Sequence, residues 1–308
     1  MQLPPLSVVV TACDDSPVLR RNLDRIAAQA APLGAEVVLV VNRSADEFAL
    51  APELESRVSR VVFESQPGKS NALNRAVEDC ASRVIAFTDD DALPDDGWLR
   101  EITAPLLAPG SDVCGAGGPV LPVFPAGGPP RWYRQIIART RSSFLGPFHF
   151  LGNEPCDYVI PDGADPLPLG ANCAYSLEAL RAHPFRVDLG PNYHTRLRGG
   201  EDTVFALQCL MSGRRLVYVP GARVHHPVEP ERMTLEYVRD GYKAQGKEYV
   251  RILRAVGRPL PSERRLRRAI HKHDYGWLRS LLAGPSRKLR RDLKRDFLIT
   301  LLAETNSA

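Results

Sequence analysis

Apolar residues in this chain come in short β-branched runs, separated by stretches in which they recur every three or four positions. Leu6 to Val10 is the first run and reads as a buried strand. After the turn Thr11-Ala12-Cys13-Asp14-Asp15-Ser16-Pro17, the apolar positions Val18, Leu19, Leu23 and Ile26 share one helical face. Ser16 stands where an N-cap belongs, and Pro17 at the first helical position, where a missing N–H costs nothing. Glu36 to Val41 is the next strand and Val61-Val62-Phe63 the third. A Gly-containing loop and a helix through Ala72, Leu73, Ala76 and Val77 follow, and a fourth strand ends at Asp89. None of these strands alternates polar with apolar, so both faces are expected to be covered. Strands of this kind alternating with helices predict an α/β fold, an open and mostly parallel sheet flanked by helices. Ligands of such sheets bind beyond the carboxyl ends of the strands. That rule places Ala12–Asp14, Asn42–Ser44, Pro67–Ser70 and Asp89–Asp91 along one rim.

The second half is less regular. Asp112 to Val120 reads as a strand, ending in Gly117-Gly118-Pro119. From Pro122 to Pro168 there are nine prolines and many aromatics, among them Trp132, Tyr133, Phe144, Phe148 and Phe150, with a weakly helical piece around Tyr133–Arg141. A long irregular segment inside a compact domain is usually a lid or a binding loop. Regular signals return at Pro168-Leu169-Gly170-Ala171-Asn172-Cys173-Ala174-Tyr175. Gly199-Gly200-Glu201-Asp202-Thr203 then opens a helix from Val204 to Ser212, which Gly213 stops. Leu216–Val219 is a strand and Ala222-Arg223-Val224-His225-His226-Pro227 follows it. Beyond Met233 the chain is helical and basic, interrupted at Gly257–Pro261 and Gly284-Pro285.

Composition excludes some classes. With 44% hydrophobic and 25% charged residues, the 308-residue chain has the make-up of an ordinary globular protein. No run of about 18 apolar residues is present, so no spanning helix is expected. The first residues, Met1-Gln2-Leu3-Pro4-Pro5, lack a secretory pattern, and the expected location is cytoplasmic. Six cysteines without a C-x-x-C pair support neither a disulfide framework nor a zinc site. The net charge of +4 is uneven: residues 231–308 carry 19 Lys or Arg against 9 Asp or Glu, leaving a mildly acidic body. A basic extension suits an anionic partner, such as a phosphorylated acceptor or the inner face of a membrane, or else a solvated helical face. Its apolar stripe, Leu278, Leu281, Leu282, Leu289, Leu293, Phe297 and Leu301, suits a peripheral membrane helix, an internal contact or a homodimer contact. The acidic rim argues against nucleic acid as a partner.

The chemistry starts at Val84–Asp89, an apolar strand that runs into Asp89-Asp90-Asp91 and is stopped by Pro94. Adjacent carboxylates repel and favour protonation. A divalent cation would reverse that, because hard cations take carboxylate oxygens and bridge them to phosphates. The plain alternative is a solvated acidic turn capping the helix near Asp95-Asp96-Gly97-Trp98. Pro67-Gly68-Lys69-Ser70 is not a P-loop, which would need glycine where Phe63 stands. What survives is Lys69 at a helix N-terminus, a phosphate contact by charge and dipole.

Taken in order, these pieces resemble a family 2 glycosyltransferase of the GT-A fold. They are the first strand and its turn, GKSNALNRAV at 68–77, FTDDDALP at 87–94, GGPV at 117–120, PLGANCAY at 168–175, GGEDTVF at 199–205 and VHHPVEPERM at 224–233. The resemblance implies a GT-A domain over 1–230, with a Rossmann-like nucleotide-binding half (1–120) and an acceptor half (121–230), followed by the basic helical extension 231–308. It implies inverting transfer from a nucleoside-diphosphate sugar, UDP being the first choice, to an unidentified hydroxyl acceptor, with Mn²⁺ or Mg²⁺. Asp89 and Asp91 would form the D-x-D pair, Asp91 as direct ligand and Asp89 nearer the ribose or uracil. Asp90 would belong to the donor site without mattering much to the metal. His226 would complete the metal or diphosphate site, with His225 as the neighbouring alternative. Asp202 would be the general base and Glu201 would bind or orient the acceptor. Asn172, beside Gly170, would face the donor sugar, and Lys69 and Asn74 would belong to the donor site. The chain departs from the family pattern after strand one, where it has Ala12-Cys13-Asp14, and after strand two, where Val41 replaces an acid. Ala12, Asp14 and Asn42 are then the candidates for contact with the base. A non-catalytic sugar-binding protein of the same fold is the alternative reading.

Overall fold

Each apolar run becomes a strand, and most of their boundaries follow the sequence. The computed structural model describes residues 6–46, 51–137, 148–161, 167–191, 198–275 and 285–307. In chain order the elements are β1 (Leu6–Ala12), α1 (Pro17–Ala30), β2 (Glu36–Val41), α2 (Pro52–Glu55), β3 (Arg60–Phe63), α3 (Lys69–Asp79), β4 (Val84–Asp89), β5 (Leu93–Pro94) and α4 (Trp98–Leu107). Then come β6 (Val113–Gly117), β7 (Val120–Val123), α5 (Arg131–Ile137), β8 (Cys156–Asp157), β9 (Asn172–Ser176), α6 (Leu177–Ala182), α7 (Glu201–Met211), β10 (Arg215–Tyr218) and β11 (Val224–Pro227). The helices α8 (Leu235–Ala255), α9 (Glu263–Tyr275) and α10 (Pro285–Thr305) complete the chain. The first helix begins as its sequence dictates: Ser16 Oγ accepts from the Leu19 N–H at 3.0 Å, and Pro17 occupies the first turn.

The main sheet has the order β3-β2-β1-β4-β9-β6-β10-β8. β1 to β4 pair in parallel, whereas β9 runs antiparallel to both β4 and β6. Side chains alternate between two covered faces. Val9, Val38, Val40, Ile85 and Phe87 pack with Leu73 and Ala76 of α3 and Phe205 of α7. Val8, Val10, Leu39 and Ala86 pack with Leu19, Leu23 and Ile26 of α1 and with Trp98 and Ile102 of α4. This double covering is why the strands read as unbroken apolar runs.

The expected strand over Asp112–Val120 is in fact two. β6 stays in the main sheet, and after Gly118-Pro119 the chain joins a small second sheet, β5-β11-β7. The crossing is tight: a Cβ on Gly118 would lie 2.0 Å from the Ala222 carbonyl oxygen, so only glycine fits there. The helical piece expected over Tyr133–Arg141 is α5, and 138–141, like Phe144, lie outside the described residues.

The C-terminal helices pack on one another and on the body. α8 and α10 cross at Gly246, where a Cβ would lie 2.7 Å from the Phe297 carbonyl oxygen. Leu293 is buried with Tyr133, Val238 and Tyr242, and Leu301 with Val250 and Leu266. The described part of the apolar stripe is therefore consumed by internal contacts; Leu278, Leu281 and Leu282 lie outside the described residues. Among the described residues no helix is long and apolar enough to cross a membrane.

One buried histidine ties this packing to pH. His149 is 2% exposed, its Nε2 lies 2.7 Å from the Tyr158 hydroxyl, and burial pushes its pKa from 6.5 down to about 4. The folded chain thus holds it neutral, while the unfolded chain protonates it below the ordinary value. Its contribution is complete above pH 6.5 and is lost as the pH falls toward about 4. The expected loss across that window is roughly 3 kcal/mol. Urea unfolding at pH 7 and pH 5 should show a steeper fall for the wild type than for His149→Phe. Equal slopes would show that His149 is not the group responsible.

Candidate active site

The acids converge because a main-sheet strand and a second-sheet strand end at the same rim. β4 delivers Asp89 at its carboxyl end, where the Asn22 side-chain amide donates to the Asp89 carbonyl at 2.7 Å and fixes the turn. β11, paired antiparallel to β5 and parallel to β7, brings in the histidines. His226 lies 4% exposed, with Nε2 3.0 Å from the Asp91 carboxylate. Adjacent strand residues face opposite ways. His225 accordingly turns aside and meets the half-exposed Asp95 at 3.0 Å. His225 therefore lies outside the cluster formed by Asp89, Asp91 and His226.

Asp89, Asp91 and His226 each offer one ligand atom, all within 4.8 Å of one another. Two carboxylates and an imidazole are a fitting donor set for Mn²⁺ or Mg²⁺. The His226 Nδ1–H donates to the Pro227 carbonyl at 2.8 Å, so Nε2 is the nitrogen left to face a ligand. Burial opposes charge on both Asp91 and His226, yet their mutual hydrogen bond lowers the Asp91 pKa and raises that of His226. Asp90 has no such partner among the described residues. Burial, then Asp91 and Asp89, pushes it up to about 7.

Lys69 occupies the centre of the cluster. Its ammonium pairs with Asp89 from the first turn of α3. Burial opposes its charge, but Asp89, Glu201 and Asp202 together hold it protonated, above the ordinary lysine range. Opposite stands the start of α7. Asp202 accepts from the Gly170 N–H at 3.1 Å and, through its other oxygen, from the Thr203 N–H at 2.7 Å. Two backbone donors and the N-terminus of α7 thus surround this carboxylate. Gly170 lies beside both groups: a Cβ there would sit at ordinary contact distance, 3.4 Å from Lys69 Nζ and 3.9 Å from Asp202. Glu201 lies behind the rim at 3% exposure, with Oε2 unpartnered among the described residues. Burial and then Asp202 raise its pKa to about 8, against the pull of Lys69.

The expected asparagines hold backbone. Asn172 is fully buried, accepts from Trp98 Nε1 at 2.7 Å, and donates to the carbonyls of Pro119 and Ala222 at 2.8 and 2.7 Å. The structure thus commits the side chain expected at the donor sugar to bracing the crossing beneath the site. Asn74 exchanges two hydrogen bonds with the Phe185 backbone, at 2.8 Å each. Asn42 donates to the carbonyls of Glu64 and Gln66 and accepts from the Gly68 N–H, which shapes the loop before Lys69. Ala12 is buried, and its carbonyl is taken by the Asn42 N–H. Asp14 is exposed and pairs with Arg43 at 2.9 Å, while Arg43 also donates to the Cys13 carbonyl. Sequence reasoning missed Arg43 and Arg232. Arg232, just after β11, lies near enough to help lower the Asp91 pKa, and its position six residues beyond His226 was the only signal available.

Comparison with known proteins matches this geometry to a family. A family model described as "Glycosyltransferase like family 2" matches residues 4–240. Glycosyltransferase AglE of Haloferax volcanii is 24% identical over 131 residues, 41% of this chain and 42% of that protein. The chain thus spans less than half the length of that relative. Among solved structures, the mannosyltransferase PcManGT from Pyrobaculum calidifontis, in complex with GDP-Man and Mn²⁺, superposes with a TM-score of 0.58 at 20% identity, covering 98% of this chain and 87% of that one. Glucosyl-3-phosphoglycerate synthase from Mycobacterium tuberculosis, in complex with Mn²⁺, UDP and phosphoglyceric acid, gives 0.51 at 18% identity over 83% and 80% of the two chains. At these identities the superpositions show a shared fold. The span matched by the family model carries Asp89, Asp91, Asp202 and His226 alike, and the chain belongs to glycosyltransferase family 2.

Proposed function

We propose that this protein transfers a glycosyl group, with inversion, from a nucleoside-diphosphate sugar to an acceptor hydroxyl. One observation carries the reading: three metal-ligating atoms of Asp89, Asp91 and His226 cluster within 4.8 Å, while Asp202 is held across Lys69 by two backbone N–H groups. Asp89, Asp91 and His226 would hold a divalent cation, which would neutralise the charge that develops on the leaving diphosphate. Lys69 adds a fixed positive charge at the same place. Asp202 takes the proton of the acceptor hydroxyl as the acceptor oxygen bonds to the anomeric carbon and the bond to the diphosphate breaks. A base must be held where it can meet the acceptor proton, and the Gly170 and Thr203 N–H groups fix its two oxygens. Attack from the side away from the leaving group inverts the anomeric carbon. Asp14 is the nearest candidate for the nucleobase side, with Arg43 beside it, while Asn42 shapes the loop next to them.

UDP is the nucleotide to test first. The relatives of this fold include one crystallised with GDP-Man and one with UDP, so GDP belongs in the same screen. At a hundredfold excess over Kd, UDP with Mn²⁺ should raise the melting temperature by about 4 °C. If neither UDP nor GDP shifts the melt with Mn²⁺ present, the nucleotide-sugar reading fails. Binding without consumption of UDP-glucose or GDP-mannose would favour a sugar-binding protein instead.

A further inference from the structure

A second buried acid stands behind the catalytic helix, on an element that touches none of the reacting groups. Glu248 lies in α8 at 7% exposure. Its carboxylate accepts from the Arg198 N–H at 2.6 Å, and the neighbouring Gly199 N–H also favours its charged form. Arg198 is held a second way: its guanidinium lies 3.9 Å over the Tyr237 ring and donates to the Tyr237 carbonyl at 3.2 Å. One turn further along α8, Ile252 comes close to Gly200, where a Cβ would lie 3.4 Å from its Cδ1. Residues 198–200 are thus gripped at three successive positions by one helix of the C-terminal extension. Gly200 has φ 102°, a conformation open to glycine and strained for other residues, and it leads directly into Glu201 and Asp202 at the start of α7.

A buried carboxylate costs stability unless its oxygens are well hydrogen-bonded. Here both sets of partners are backbone N–H groups on the strap that launches the catalytic helix. We infer that Glu248 is a positioning residue: it clamps the 198–200 strap to α8 and thereby fixes where Asp202 sits against Gly170. The inference rests on the reading of Asp202 as general base, and it makes the C-terminal extension part of the catalytic machinery. Misplacement of a catalytic group by about 1 Å can cost on the order of a hundredfold in rate.

Glu248→Gln and Glu248→Ala, with UDP-glucose and GDP-mannose as donors and Mn²⁺ present, test it. Gln keeps an acceptor for the Arg198 N–H but removes the negative charge that the Arg198 and Gly199 N–H groups favour. Expected kcat losses are about tenfold for Gln and about a hundredfold for Ala, with donor KM within about twofold of wild type. In an Asp202→Asn background, Glu248→Gln should change kcat by less than about twofold, because a residue acting through Asp202 has nothing left to position. Amide hydrogen exchange over residues 198–204 should quicken at least about tenfold in Glu248→Gln. Unchanged exchange, an unchanged kcat, or losses that multiply in the double variant would overturn the clamp. If the Ala variant does not fold, the Gln variant carries the same tests. Wild-type turnover in Asp202→Asn alone would instead sink the base assignment and leave the exchange result to judge the clamp by itself.

Discussion

Asp202→Asn is expected to lower kcat by about 10²–10⁴-fold, the range that general-base catalysis contributes, with donor KM nearly unchanged. The variant preserves shape but has no carboxylate to receive a proton. It also leaves one of the two backbone donors, from Gly170 or Thr203, without an acceptor. That loss is worth about 1 kcal/mol of stability, far too little to unfold the chain. The nucleotide-induced shift in melting temperature should therefore persist while turnover disappears. Turnover at the wild-type rate would remove Asp202 from the mechanism. Loss of nucleotide binding together with turnover would mean that it serves the donor instead.

Asp91→Ala should act on the other side of the reaction. Asp91 supplies one of three ligand atoms and is the hydrogen-bond partner of the buried His226. Removing it should abolish the Mn²⁺-dependent part of the nucleotide thermal shift. Turnover should fall by about 10³-fold or more, the kinetic equivalent of losing several kcal/mol of charge stabilisation. His226→Ala should follow the same pattern. His225→Ala is the discriminating control, because that ring pairs with Asp95 outside the cluster, and it should leave metal dependence within about twofold. A His225 variant as damaged as the His226 variant would contradict the cluster. Full activity of Asp91→Ala, or of the wild type in excess chelator, would contradict the metal assignment itself.

The fold was largely legible because the first four strands are covered on both faces and so appear as unbroken β-branched runs. Ser16 and Pro17 marked the first helix start by chemistry that needs no tertiary context. Strand pairing was harder to read. Nothing local in Asn172–Ser176 says that it enters the sheet antiparallel between β4 and β6. Nor does Asp112–Val120 announce the crossing under Ala222 that splits it in two. Within the site, the acids could be located by motif, but the choice between two adjacent histidines depends on which face of β11 meets the rim. The asparagines show a different limit. An amide turned toward a ligand and an amide bound to backbone look alike in sequence, and Asn42, Asn74 and Asn172 all do the second. Glu248 had no motif at all, since its partners are backbone groups 50 residues away.

The pairing of Lys69 with Asp89 bears on how the donor is loaded. The ammonium and an incoming cation want the same carboxylate, so a cation arriving alone must first displace a built-in competitor. A cation arriving with a diphosphate offers Lys69 a new anionic partner at the moment it loses the old one. By thermodynamic reciprocity each ligand then strengthens the binding of the other by the same factor. On the proposed function, metal and nucleotide sugar should enter this protein as a cooperative pair, because Asp89 is already paired from within by Lys69.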